Sequence, residues 1–213
     1  MGFAFLGINF IGNYWKGDAL MDHWINIIPL IIIAAACYLM LIVNKWQKAL
    51  LSCGMIYLSA FLIMLQFWSF NFSLVKLISG LMALVIIGLS LIKRFHNPTE
   101  QNKARLIFRL SAYSLILLIM VFMSSGVTQN LSIPLEIVLA SFIMIGFAIF
   151  QLGISQEPYK VFLAIMTFLL GFELIFTTNE SSLLINGLLS MITLLISVVG
   201  GYIIVNEFES SEE

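Results

Sequence analysis

Along this chain the apolar positions neither alternate nor recur only every third or fourth residue. They form near-continuous runs, broken by short polar stretches, at residues 24–43, 50–70, 72–92, 106–124, 131–152, 159–177 and 183–205. A helix needs about 20 mostly apolar residues to cross a bilayer. Backbone facing lipid must also be hydrogen-bonded inside its own segment. The runs are too long and too uniformly apolar for barrel strands, which alternate. The pattern therefore predicts an all-α, polytopic integral membrane protein with about seven transmembrane helices.

The polar breaks divide the chain. Residues 1–23, "MGFAFLGINFIGNYWKGDALMDH", are apolar but interrupted by Gly, Asn and Asp. They read as an interfacial segment, with Tyr14 and Trp15 at headgroup level. The alternative is a short extra helix packed on a partner. No basic region precedes an apolar stretch there, so no signal peptide is expected. A three-helix membrane part, 24–92, follows. The only sizeable polar loop, "KRFHNPTEQNKAR" at 93–105, separates it from a four-helix part, 106–206. An acidic tail, 207–213, closes the chain.

Charge supplies the orientation. Of the ten Lys and Arg residues, Lys45, Lys48, Lys93, Arg94, Lys103, Arg105, Arg109 and Lys160 all fall on one face of a seven-helix alternation. Lys16 lies on the other face and Lys76 inside a run. Basic residues stay on the cytoplasmic side. The expected topology is N-terminus outside and C-terminus cytoplasmic, in the inner (cytoplasmic) membrane of the cell.

Composition agrees and removes other classes. The chain has 213 residues, 61% of them hydrophobic and 10% charged, where soluble domains carry about 25% charged residues. Its solvent must be largely lipid. A net charge of −1 and the lack of a basic run give no reason to expect a nucleic-acid partner. Cys37 and Cys53 lie inside apolar runs and read as packing thiols, not as a disulfide or a metal site. His96 reads as a solvated loop residue, and His23 falls on the opposite face, so neither haem nor zinc ligation is expected. No Walker loop, GxGxxG, HExxH, CxxC or G-x-S-x-G occurs. No inverted repeat with broken helices marks a transporter site. An independent enzyme is not expected, and neither is a cofactor.

The candidate chemistry is three charges inside the runs: Lys76, Glu136 and Glu173. An ionisable group in hydrocarbon costs about 2.5–3.5 kcal/mol on insertion scales. All three fall at a similar depth in the outer half, which permits a Lys76–Glu pair. Lys76 and Glu136 also have bland readings. Either could extend its head toward the interface, and Glu136, just after Pro134, could serve its helix start. Glu173, within "FLLGFELIF", has apolar neighbours on both sides, and Gly171 beside it would let another helix approach closely. Its alternatives are a proton-carrying carboxylate and a neutral carboxyl that hydrogen-bonds a neighbouring helix.

"FLLGFELIF" also carries a resemblance. The small three-helix K subunit of bacterial complex I has a G-x-E-[LIM] stretch in its middle helix, after a short cytoplasmic turn. The stretches "IVLASFIMIGFAIFQLGI", "SQEPYK", "VFLAIMTFLLGFELIFTT" and "INGLLSMITLLISVVGGYIIV" resemble its first helix, turn, middle helix and last helix. Size and span count also resemble component E of the energy-converting, complex I-like hydrogenases. The resemblance implies that Glu173 is a membrane carboxylate in a proton path. It also implies that the chain is a cofactor-free subunit of an ion-translocating assembly, with other membrane subunits and the lipid bilayer as partners. The last helix departs from the K pattern. Where those subunits carry a second carboxylate, it has only Asn186, Ser190, Thr193 and Ser197. A small stand-alone transporter and a structural or assembly protein are the alternative functions. Gly187, Ser190, Ser197, Gly200 and Gly201 suggest a face on which another subunit could pack closely.

Overall fold

A computed structural model describes residues 19–43, 45–92, 103–131, 133–179 and 182–212. These residues form seven α-helices, with no strand among them: α1 (Ala19–Ile42), α2 (Trp46–Phe67), α3 (Phe70–Ile92), α4 (Lys103–Leu131), α5 (Leu135–Ile154), α6 (Pro158–Asn179) and α7 (Leu183–Glu212). Six of them, α2 to α7, are long and apolar enough to cross a membrane. Helix α1 has 24 residues, but its apolar part, Ile27–Ile42, is shorter. The chain is thus an all-α, multi-pass membrane protein whose surroundings are a lipid bilayer.

Helix ends follow local chemistry. The α2–α3 turn is tight: Trp68 is extended, and the Ser69 carbonyl accepts the amides of Phe72 and Ser73. Pro134, also extended, precedes α5. Pro158 opens α6, where its missing N–H costs nothing.

Several boundaries differ from the sequence expectation. The expected span at 106–124 is part of a helix that continues to Leu131. Residues 124–131 are therefore helical and not an external loop. Polar residues such as Ser124, Ser125 and Thr128 bond back to their own turns, so they need no break in the helix. The helix also begins at Lys103, inside the expected 93–105 loop. Helix α7 runs on to Glu212, so most of the acidic tail extends the last helix. At the start, Ala19 to His23 belong to α1, not to a separate interfacial segment. Tyr14, Trp15 and His96 lie outside the described residues.

Helices α1, α2 and α3 pack side by side in chain order, and so do α5, α6 and α7. Each helix of the first set also packs on the one four places later: α1 on α5, α2 on α6, α3 on α7. Two three-helix layers therefore face one another. Helix α4 lies outside them, against α5 and α1, with Phe122 81% exposed.

Many buried positions of the first layer recur in the second at a shift of 110 residues, the separation of Lys76 from Asn186. Buried Cys53, Ile56, Ala60 and Ile63 on α2 correspond to buried Leu163, Met166, Leu170 and Glu173 on α6. Lys76, Gly80, Ala83 and Ile87 on α3 correspond to Asn186, Ser190, Thr193 and Ser197 on α7. Ile33, Cys37 and Leu41 correspond to Ile143, Phe147 and Gln151. A three-helix unit ends on the face opposite its start, so a direct second copy would insert upside down. One added helix, α4, returns the chain and lets both units run the same way.

Small residues let the helices approach, because lipid supplies no hydrophobic drive for their association. A Cβ on Gly80 would lie 2.2 Å from the Tyr57 ring, and one on Gly171 would meet the Ser141 carbonyl of α5 at 3.0 Å. Polar atoms join helices at mid-bundle. Within the first layer Ser52 Oγ donates to the Ala36 carbonyl at 2.5 Å, and across the layers Tyr57 Oη donates to the Met166 carbonyl at 3.4 Å. Free Cys37 and Cys53 are buried in this core.

Candidate functional site

On α6 the buried positions Leu163, Met166, Leu170, Glu173 and Thr177 recur at three- and four-residue steps, one face of a helix. That face looks into the bundle, so Glu173 cannot reach lipid. On α3, Phe72, Lys76, Ser79, Ala83 and Ile87 form the corresponding face. The α3–α7 pairing brings this face onto Asn186, Ser190, Thr193 and Ser197, all buried on α7. Gly201 of α7 meets Ser90 of α3 at the far end of the seam. The two helices are therefore parallel and in register.

Lys76 Nζ lies 2.8 Å from Glu173 Oε1, and each side chain is only 3% exposed. The ammonium also donates to the Asn186 backbone carbonyl at 3.3 Å. Asn186 Nδ2 donates in turn to the Phe72 carbonyl at 3.4 Å. Thr177 Oγ1 donates to the Glu173 carbonyl at 2.8 Å, and Ser79 Oγ to the Lys76 carbonyl at 3.0 Å. Lys76 lies six positions after Phe70 and Glu173 six before Asn179, each about 9 Å along the axis from the same end of the bundle. The two residues thus meet at a similar distance from one end of the bundle.

Glu136 stands apart. It lies in the first turn of α5 and is half-buried, where the helix dipole favours an acid. Among the described residues, no ion pair joins it to Lys76.

The opposite end is basic. Arg109 donates to the Ile154 carbonyl at the C-terminus of α5 at 3.3 Å. Lys160, buried, lies 3.8 Å from Glu157. Lys45 and Lys48 are exposed there. Among the described residues, no group of three His, Cys, Asp or Glu side chains could hold a metal.

The 2.8 Å contact sets one positive and one negative group against each other out of reach of lipid, so that each offsets the other's cost of burial.

Comparison of the chain with protein-family models, curated proteins and solved structures gives no match. The resemblance to the K subunit accordingly rests on the quoted residues alone. Asn186 entered the sequence reading only as the residue standing where a carboxylate was missing. Its spacing with Ser190, Thr193 and Ser197 was the available signal, since steps of four, three and four place them on one face.

The small residues of α7 correct another expectation. Ser190, Ser197, Gly200 and Gly201 are buried within this chain. A Cβ on Gly200 would lie 2.7 Å from the Phe162 ring of α6. They close the chain's own fold and do not form a face for another subunit. Gly187 alone of the five is open, with nothing within 4 Å of its Cβ position.

Proposed function

We propose that this chain is a cofactor-free, proton-handling membrane component, and that the Lys76–Glu173 pair holds the transferred proton. The observation that carries the reading is the 2.8 Å ion pair with both side chains buried. Two ionisable groups in hydrocarbon are costly, and such groups mark ion pathways and proton relays. In this reading all seven helices cross the cytoplasmic membrane, the N-terminus faces outside and the C-terminus faces the cytoplasm. The resemblance of residues 137–205 to K subunits supports a place in a complex I-like or hydrogenase-like assembly, beside antiporter-like subunits. Oxidoreduction belongs to other subunits of that assembly.

A second reading has one observation in its favour. The small residues of α7 are used up inside the fold, which favours a self-contained bundle acting as a stand-alone transporter. Purification in mild detergent separates the two. A subunit brings large membrane partners with it, and a permease comes out alone.

The experiment for proton handling is Glu173→Gln, which keeps the shape but cannot ionise. Proton uptake is measured in vesicles carrying the protein with whatever co-purifies, normalised to turnover. Uptake per turnover should fall by about a hundredfold or more, the range seen when a positioned acid–base group is lost. Wild-type coupling in Glu173→Gln would end the proposal.

A further inference from the structure

We infer that Asn186 is a positioning residue that takes over the Lys76 ammonium when Glu173 becomes neutral. This rests on the proton-holding reading of the pair. Asn186 is 1% exposed. Its amide nitrogen faces the Phe72 carbonyl, which can only accept, so the orientation of the amide is fixed. The other amide atom, Oδ1, is buried and, like Glu173 Oε1, has no aligned hydrogen-bond partner among the described residues. Buried acceptors are nearly always satisfied, so an empty one beside a cation calls for an explanation.

The ammonium supplies it. Lysine has three N–H donors and no acceptor. Lys76 gives one to the Asn186 backbone carbonyl and turns its charge to Glu173 Oε1 at 2.8 Å, an ion pair without hydrogen-bond alignment. At least one donor is uncommitted among these contacts. Lys76 already touches Asn186, and its flexible four-carbon stem can turn a donor toward Oδ1. While Glu173 is ionised, the carboxylate holds the head, since hydrogen bonds between charged partners are about twice as strong as neutral ones. Once Glu173 takes a proton, that grip weakens and Lys76 carries an unbalanced charge. The Asn186 side chain then shares it through a carbonyl dipole. The step moves no bond and needs no co-reactant. The proton on Glu173 comes from the translocation path, and the lysine keeps its own. The pair becomes a two-position device, with the ammonium on Glu173 in one state and on Asn186 in the other. An aspartate at 186 would lack this property, because its charge would hold the ammonium in both states.

The test is a double-mutant cycle on the full chain in detergent, read as the thermal unfolding midpoint. Glu173→Gln stands for the protonated state. Asn186→Leu removes the second acceptor. With Glu173 intact, Asn186→Leu should be mild, because the carboxylate holds Lys76. Combined with Glu173→Gln, it should lower the midpoint by about 4–8 °C more than the two single shifts added, the size expected for coupled neighbours in a chain of this length. The same cycle on a Lys76→Met background should be additive, because no ammonium needs a second position. Additive shifts with Lys76 present would overturn the inference. So would an excess shift that survives Lys76→Met, or an Asn186→Leu single variant that already fails to fold. The cycle is independent of translocation. Additivity together with lost proton uptake in Glu173→Gln would leave the relay standing without the switch. Coupling together with normal uptake would leave a structural switch without the relay.

Discussion

Lys76 and Glu173 depend on each other. Removing one partner of a buried pair leaves an uncompensated charge and costs about 3–5 kcal/mol, whereas replacing both by apolar residues of similar size is often neutral. Lys76→Met and Glu173→Leu should each lower stability by amounts of that order. The double variant should recover at least half of the loss, measured by thermal unfolding in the same detergent. If the double variant is as unstable as the sum of the singles, the pair does not hold the two layers together as described. Much of this site was legible from the residues. Lys76 and Glu173 stood out as ionisable groups in apolar runs, and depth alone made their contact possible. Glu136 shared that depth, and only the packing separates it, since it starts a helix instead of facing the core. Asn186 was not legible as a participant. An amide in an apolar run is common, and its orphaned oxygen exists only once α3 and α7 are laid side by side.

At the level of helices, small residues decide which faces meet. Glycine in a helix costs about 1 kcal/mol relative to alanine, so its presence is informative where a Cβ has no room. Gly80 is such a place, with its Cβ position 2.2 Å from the Tyr57 ring. Gly80→Ala should displace Tyr57, break its bond to the Met166 carbonyl and destabilise the protein by about 1–3 kcal/mol, the usual cost of overpacking. Gly187→Ala, with open space around it, should be neutral or slightly stabilising. Comparing the two unfolding midpoints tests the packing directly, and equal midpoints would contradict the α2–α3 approach. The run pattern found each helix of the described residues, because a continuous apolar run needs no partner to be recognised. It misjudged how far α4 and α7 extend, because serine, threonine and glutamate near a helix end satisfy themselves locally and do not stop it. It also sent the α7 glycines outward. A small-residue stripe shows that something packs closely there, but not which helix does so.

For the whole molecule, the matched layers account for the seven helices of the described residues. Two three-helix units facing each other in the same direction require an intervening crossing, and α4 supplies it with little burial of its own. The repeat was hidden in the sequence because its matched positions share burial and not identity. Ile63 corresponds to Glu173, and Ile87 to Ser197. The same count fixes where the ends of α7 emerge. This helix starts at the end that holds the Lys76–Glu173 pair and runs for 30 residues, about 45 Å, past the basic end marked by Lys45, Lys48 and Lys160. Basic residues mark the cytoplasmic face. On a background lacking Cys37 and Cys53, a cysteine replacing Ser182, which is exposed just before α7, should react with an impermeant thiol reagent in intact cells. A cysteine replacing Ser211, in the last turns of the helix, should react only after the membrane is opened. Reaction of both positions in intact cells would mean that α7 does not cross. Reversal of the two would place the Lys76–Glu173 end in the cytoplasmic half.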